Sequence, residues 1–350
     1  DGFAAAYLDP DNAQHVVQTY LPDLAAYMRG LGYATTPTSG LLAEFHALPP
    51  AERDLFLDKV FFSELKQTGI DYNDPTSPRY QSYNRGFKAV SLLFPADPAG
   101  APEGDVILDA KPVETQSGGD ITILAPYGRV AVGADIVPKG VDPSAGGVVT
   151  RKGGDIRIMS DQNVDLFTSR VFTLQGGDIT MWTSDGSITA GSGSKTSVFQ
   201  KPLVYDVDDE AVITLDAFGL QTGAGIGVLD ALLGEGQRQR SRLDLIAPRG
   251  EVNAGDAGIR VVGDLNIAAQ VVVGVENIQV SGAAAGVPKV EAPNLGALST
   301  VSQVAQAAAK EGVGPAAQPH TAVADLPSII TVEVVGYEQT DDPKKKKKSP

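Results

Sequence analysis

The 350-residue chain contains no cysteine, three histidines, three methionines and one tryptophan. Without thiols there is no disulfide scaffold, no thiolate zinc site, no thiol nucleophile and no redox dithiol, and three histidines leave little material for an imidazole metal cluster. Positive charge is scarce too. The 28 Lys and Arg stand against 43 Asp and Glu, a net charge of −15 that repels phosphate backbones and speaks against a nucleic-acid partner. Apolar runs fall far short of the ~18–20 residues that a membrane helix needs, and no basic, apolar leader opens the sequence. A soluble chain is expected. Since it begins at Asp1 without Met, it reads as a processed or excised piece of something longer.

Aromatic residues are unevenly spread: 14 of the 22 lie between Phe3 and Phe94. This marks residues 1–104 as a separate helical segment, expected to cap the rest of the chain. Val17, Leu21, Leu24, Met28 and Leu31 recur at helical spacing, as do Leu57, Phe61 and Leu65 after Pro49-Pro50, where Pro50 can open a helix because its missing N–H would be unpaired in the first turn anyway. A turn-rich stretch from Asp71 to Pro78 and a short apolar segment ending near Phe94 complete it.

From Asp105 the texture becomes short β-rich runs punctuated by glycine, and it repeats. Gly-Gly-Asp-Ile starts at Gly118, Gly153 and Gly176, at spacings of 35 and 23 residues. Ile121 through Val130 aligns without gaps on Leu243 through Val252, Ile179 through Ala190 fits the same template, and Leu265 follows Leu243 by 22 residues. One such step reads as one coil of a β-solenoid, with two short strands joined at a glycine corner (Gly128, Gly186, Gly250) and the next coil stacked on top. Period-two alternation puts Ile121, Ile123, Val130 and Val132 inside and Thr122 and Arg129 outside. In the Gly153 copy Asn163 replaces the corner glycine and Val164 arrives one residue early, which predicts a shortened corner or bulge.

Rungs are therefore expected over 105–197 and 242–282. Between them, 198–241 is an insertion or a set of degenerate rungs, because the step from Ile179 to Leu243 is 64 residues. Within it Asp206 to Glu210 reads as an exposed acidic turn, Gly223 to Gly227 as a loop, and Val228 to Leu233 as a short helix or buried strand. Residues 283–337 read as linker, a helix from about Leu298 to Lys310 and a last strand Ile329 to Val335, and 338–350 as a charged tail. Its five lysines, Lys344 to Lys348, leave −20 on the rest and read as a solvated terminus.

Chemistry-bearing patterns are few. Asp120, Asp155, Asp178 and Asp264 should form a column that caps turn N–H groups; stacked carboxylates repel, so they must be staggered, hydrogen-bonded or bridged by a cation. No stretch matches a calcium-binding loop or nonapeptide repeat. His15, His46 and His320 lie in different regions, His46 packing on a helix. No catalytic, cofactor-binding or metal-ligating residue is assigned, and the chain is expected not to be an enzyme. The alternative is a β-helix that binds or cleaves polysaccharide, which would need an acidic cluster sharing a cleft with an aromatic platform such as Trp182, Tyr127 or Tyr205.

Gly176 to Ile179 with Trp182 to Gly186 and Ala190 to Thr196, the run from Asp244 through Arg260 to Asn266–Gln270 and Asn277–Gly282, and the closing Leu326 to Val334 together resemble the C-terminal domain of filamentous-haemagglutinin-like large exoproteins. The resemblance covers about residues 50 to 337. It implies a mainly β fold, a right-handed parallel β-helix with an N-terminal helical cap and a C-terminal helix plus strand. It also implies a Gram-negative surface protein exported by two-partner secretion and acting in adhesion, biofilm or filament assembly. Expected partners are further copies, other segments of the parent exoprotein, surface glycans, and an outer-membrane transporter that recognises a secretion domain absent from this sequence. The family's label of haem utilisation finds no His, Cys or Tyr pair here.

Overall fold

The computed structural model describes residues 2–9, 20–33, 38–95, 104–109, 111–133, 146–192, 197–198, 204–207, 213–216, 221–229 and 241–288. Five helices come first among them: α1 (Gly2–Leu8), α2 (Leu21–Gly30), α3 (Thr38–Ala47), α4 (Pro50–Asn73) and α5 (Asn84–Leu93). Pro50 takes the first helical position of α4 as its fixed φ allows, and α4 ends where Asp74 turns extended. Strands follow. β1 (Val106–Leu108) and β2 (Pro112–Thr115) precede three successive coils: β3 (Ile121–Ala125), β4 (Val130–Val132) and β5 (Gly147–Thr150); β6 (Ile156–Ser160), β7 (Val164–Asp165) and β8 (Arg170–Thr173); β9 (Ile179–Thr183) and β10 (Ile188–Thr189). Outside the stack, β11 (Ser197–Val198) pairs antiparallel with β14 (Gln221–Thr222), and β12 (Val204–Val207) with β13 (Ile213–Asp216). β15 (Gly225–Val228), β16 (Ser241–Asn253), β17 (Ile259–Val261), β18 (Gly263–Val273), β19 (Ile278–Val280) and β20 (Ala284–Ala285) return to it.

All pairings within the stack are parallel, and they fall into three columns. The first face runs β3, β6, β9, β16, β18, β20; the second runs β1, β4, β7, β10 and the C-terminal parts of β16 and β18; the third runs β2, β5, β8, β15, β17, β19. The protein is thus mainly β, a solenoid of stacked rungs, with one more face per rung than the two-strand coil expected from sequence. The third-face strands escape a motif search because, apart from the Thr that ends β2, β5 and β8, what they share is a buried apolar position, filled by Val148, Val171, Ile226 and Ile259 at a common register. Inward residues from all faces, among them Ile121, Ile123, Val130 and Val132, make one continuous core.

The register resolves the irregular spacings. Ile121, Ile156, Ile179, Leu243 and Leu265 are successive partners, so steps of 35, 23, 64 and 22 residues are each a single rung. Residues between β10 and β16 are therefore an insertion, with one exception: β15 lies inside it and supplies the third-face strand. This corrects the loop expected at Gly223 to Gly227. Glycine is needed there at Gly225, which holds φ 118° and whose added Cβ would sit 2.5 Å from the Gly258 carbonyl of the next rung. The shortened corner at Asn163 is present: three residues separate Ser160 from Val164, where four separate Ala125 from Val130 and Thr183 from Ile188, the flanking partners. Asp208 to Glu210, Asp230 to Leu233, His15, the helix near Leu298 to Lys310, the strand Ile329 to Val335, His320 and the lysine tail lie outside the described residues.

The helical segment does not cap the end of the stack. α4 runs along its first face: Asp58 meets Thr122 on β3, Lys66 meets Asp178 before β9, Gly69 abuts Ile246 on β16, and Asn73 reaches Asn266 and Ile267 on β18. The cause is a second, outward-facing apolar lane on the first face. Met159, Trp182, Ile246 and Ala268 are buried there against Phe61, Leu65 and Phe87, and water is excluded from both sides of the sheet.

Candidate functional site

The most regular chemical feature is the corner that enters the first face. Thr115, Thr150 and Thr173 are register partners, and each opens a Thr-x-x-Gly-Gly-Asp turn in which its hydroxyl donates to the carbonyl of the second glycine at 3.0–3.2 Å. Both glycines of each copy have φ between 70° and 102°, and an added Cβ on Gly154 or Gly177 would sit 2.2 or 2.1 Å from the glycine carbonyl of the preceding rung. The turn is glycine because the chain is left-handed there and because rungs stack backbone on backbone.

This turn aims each aspartate along the stack. Asp120 accepts the Asp155 N–H, Asp155 accepts the Asp178 N–H, and Asp178 accepts the Arg242 N–H, all at 2.9 Å. Arg242 occupies the column position of the fourth rung, and Asp264 resumes it by accepting the Ala283 N–H at 2.9 Å. The remaining oxygens face cations of the chain itself. Arg157 bridges Asp120 (2.8 Å) and Asp155 (2.7 Å), and Lys66 from α4 binds Asp178 (2.6 Å). The column therefore meets the repulsion between its carboxylates by hydrogen bonding and by side-chain cations. Although burial works against it, the Asp155 N–H and the Arg157 guanidinium hold the Asp120 carboxyl below the usual range. A second ladder lies at the corner to the second face, where Asp105 accepts the Arg129 N–H, Asn163 the Ser187 N–H, and Ser187 the Glu251 N–H at 2.9–3.1 Å.

The helical layer holds its own buried charge. Arg85 binds Glu64 through two nitrogens (2.5 and 2.9 Å) and Asp71 at 3.2 Å, and Tyr20 donates to Glu64. Burial first, and the Glu64 carboxylate next, push the Tyr20 phenol far above its ordinary range. The four groups satisfy one another and present no free nucleophile or base.

Of the aromatic candidates, Trp182 and Tyr127 do not share a cleft with an acid pair among the described residues. Trp182 is fully buried, closed over by Gly86 and Phe87 of α5, its indole N–H given to Ser184 at 3.2 Å. Tyr127, two rungs earlier, donates to the Pro95 carbonyl at 3.2 Å, and the side chain of Tyr205 is outside the described residues. Asp161 and Asp185 occupy adjacent rungs beside Trp182. Burial and the Asp185 charge push the Asp161 carboxyl up, but Asp185 is bound by Arg249 at 2.5 Å, which itself lies over the Phe87 ring at 4.7 Å. His46 is exposed on α3 beside Phe45. Sequence reading missed the outward lane, yet it left a signal. The adjacent apolar pairs Ile158-Met159, Met181-Trp182, Leu245-Ile246 and Ile267-Ala268 break strict alternation at a common register, as strands buried on both faces must.

Residues 176–289, from the third Gly-Gly-Asp corner through β20, match the family described as filamentous haemagglutinin family outer membrane protein, as the resemblance of that stretch led one to expect. That description ties the stretch to an outer-membrane-associated family. No curated protein and no solved structure matches the chain.

Proposed function

We propose that this chain is a non-enzymatic structural and adhesive module of a filamentous-haemagglutinin-like exoprotein, displayed on a Gram-negative surface after two-partner secretion. Right-handed coiling of the solenoid belongs to this reading, since parallel strands joined across a sheet adopt that hand almost without exception. The observation that carries it is the corner ladder. Carboxylates that an enzyme would leave available are committed, rung after rung, to the N–H of the next rung and to Arg157 and Lys66. Such bonding stiffens a rod, and a stack whose strands pair on both sides leaves unpaired edges only at its ends. Those ends suit stacking of other segments of the exoprotein or of further copies; because that contact is heterologous, it propagates into a filament.

Electron microscopy and light scattering on material released from the cell surface test this reading. Stiff rods or fibres are the expected result. Uniform compact monomers that cleave or tightly bind a polysaccharide would replace it with the carbohydrate-active alternative.

A further inference from the structure

Beneath α4 the first face carries a polar lane beside the apolar one: Thr122, Arg157, Thr180, Asp244 and Asn266 stand at one register position. Asp244 is fully buried in it, and only one of its oxygens is used. Oδ1 accepts from Arg242 Nε at 3.0 Å and from Asn266 Nδ2 at 3.1 Å, while Oδ2 has no hydrogen-bond partner. The bond from Asn266 decides which way its amide points. With Nδ2 turned to Asp244, Oδ1 is turned to the helix, where it accepts from Asn73 Nδ2 at 2.8 Å; that same nitrogen reaches the Ile267 carbonyl at 2.8 Å. The last turn of α4 is thus pinned to the solenoid through an amide oriented by a buried carboxylate.

We propose that Asp244, shut beneath α4 with one oxygen unpartnered, makes docking of the helical layer on the solenoid pH-dependent, firmest in acid and looser as the pH rises, while the Asn266–Asn73 bond ties down the last turn of α4 in either state. The charged groups facing Asp244 are Lys66 from α4, with Asp178 as its partner, and Arg242 from the same strand; β18 contributes the neutral Asn266. Burial pushes the Asp244 carboxyl up, and Arg242 and Lys66 pull it only partly back. Asp58 of α4, facing Thr122, Arg157 and Asp120, is raised by burial in the same direction. A carboxyl raised in the docked state favours docking when protonated, and that contribution is lost as the pH climbs through the docked-state value. Undocking bares the lane of Met159, Trp182, Ile246 and Ala268.

Trp182 is the single tryptophan of the chain and lies in the docked interface, so its emission reports docking, while far-ultraviolet dichroism reports the strands. Urea titrations of the full chain at about pH 5 and about pH 8 decide the matter. Wild-type protein should lose the buried Trp182 emission at lower urea at the higher pH, the undocked fraction rising at most about tenfold per pH unit for each proton exchanged. Asp244→Asn, which mimics the protonated acid, should shrink that difference and raise the midpoint at the higher pH. Asn73→Ala, which leaves the strands untouched, should red-shift Trp182 at lower urea while the strand signal keeps its midpoint. A wild-type midpoint independent of pH, or a full pH difference in Asp244→Asn, overturns the proposal. Should Asp244→Asn fail to fold, Asp244→Ser takes its place, and a full pH difference in that variant overturns the proposal.

Discussion

Gly86 of α5 lies flat against the indole of Trp182: a Cβ at residue 86 would sit 2.4 Å from the ring. Gly86→Ala should therefore lift the helix from the sheet and destabilise the protein by about 1–3 kcal/mol, the range for overpacking a filled interface. Trp182→Ala removes the ring instead and should cost about 3–5 kcal/mol. Denaturant midpoints followed by dichroism check both, and a neutral Gly86→Ala would mean the contact is slack.

The two glycines of a corner should respond differently. Gly153→Ala meets only a left-handed backbone, since the nearest atom to its Cβ is 3.9 Å away, and should cost about 1–2 kcal/mol. Gly154→Ala adds a collision with the Gly119 carbonyl at 2.2 Å and should cost clearly more, or prevent folding. Paired thermal melts of the two variants give the order; equal losses would argue against backbone-on-backbone stacking.

Asp120 supplies an acid limb to the stability curve. Because its carboxyl is held below the usual range in the fold, its contribution is present above the unfolded carboxyl value and disappears as the pH falls through the folded one. Asp120→Asn should flatten that limb and cost about 1 kcal/mol at neutral pH, a modest figure because the side chain is half exposed. Midpoints measured from about pH 2 to 7 check it.

Removing Arg85 should be the most damaging charge change. Glu64 and Asp71 would be left buried without their counter-ion, so Arg85→Ala should cost about 3–5 kcal/mol. A triple change of Arg85, Glu64 and Asp71 to apolar residues of similar size should recover most of that loss in the same denaturation assay.

Much of the stack was legible because its corners are chemically demanding. Gly-Gly-Asp must recur wherever a left-handed turn meets a capping carboxylate, and Ile121, Ile123 and Val130 must alternate wherever one face is wet. Where those demands lapse, legibility lapses too. Arg242 breaks the aspartate column because Asp178 needs only its backbone N–H. The third face is marked in sequence only by the Thr that precedes each Gly-Gly-Asp corner, and the placement of α4 depended on apolar pairs that single-face alternation does not anticipate. Phe167 is a further departure: it holds φ 45° and its carbonyl meets the position of Gly191 in the next rung, a site at which glycine would be the expected signal.

From Asp58 to Asn73, α4 rises about 22 Å at 1.5 Å per residue, while four rungs of the first face advance about 19 Å at 4.7–4.9 Å each. One rung therefore corresponds to nearly four residues of helix, about one full turn. A chain that gained a rung by duplication would outrun its helix by nearly one turn and leave a fresh pair of outward apolar residues in water. Length in this protein is consequently inherited jointly, and the span of α4 sets how many rungs the sheltered segment can hold.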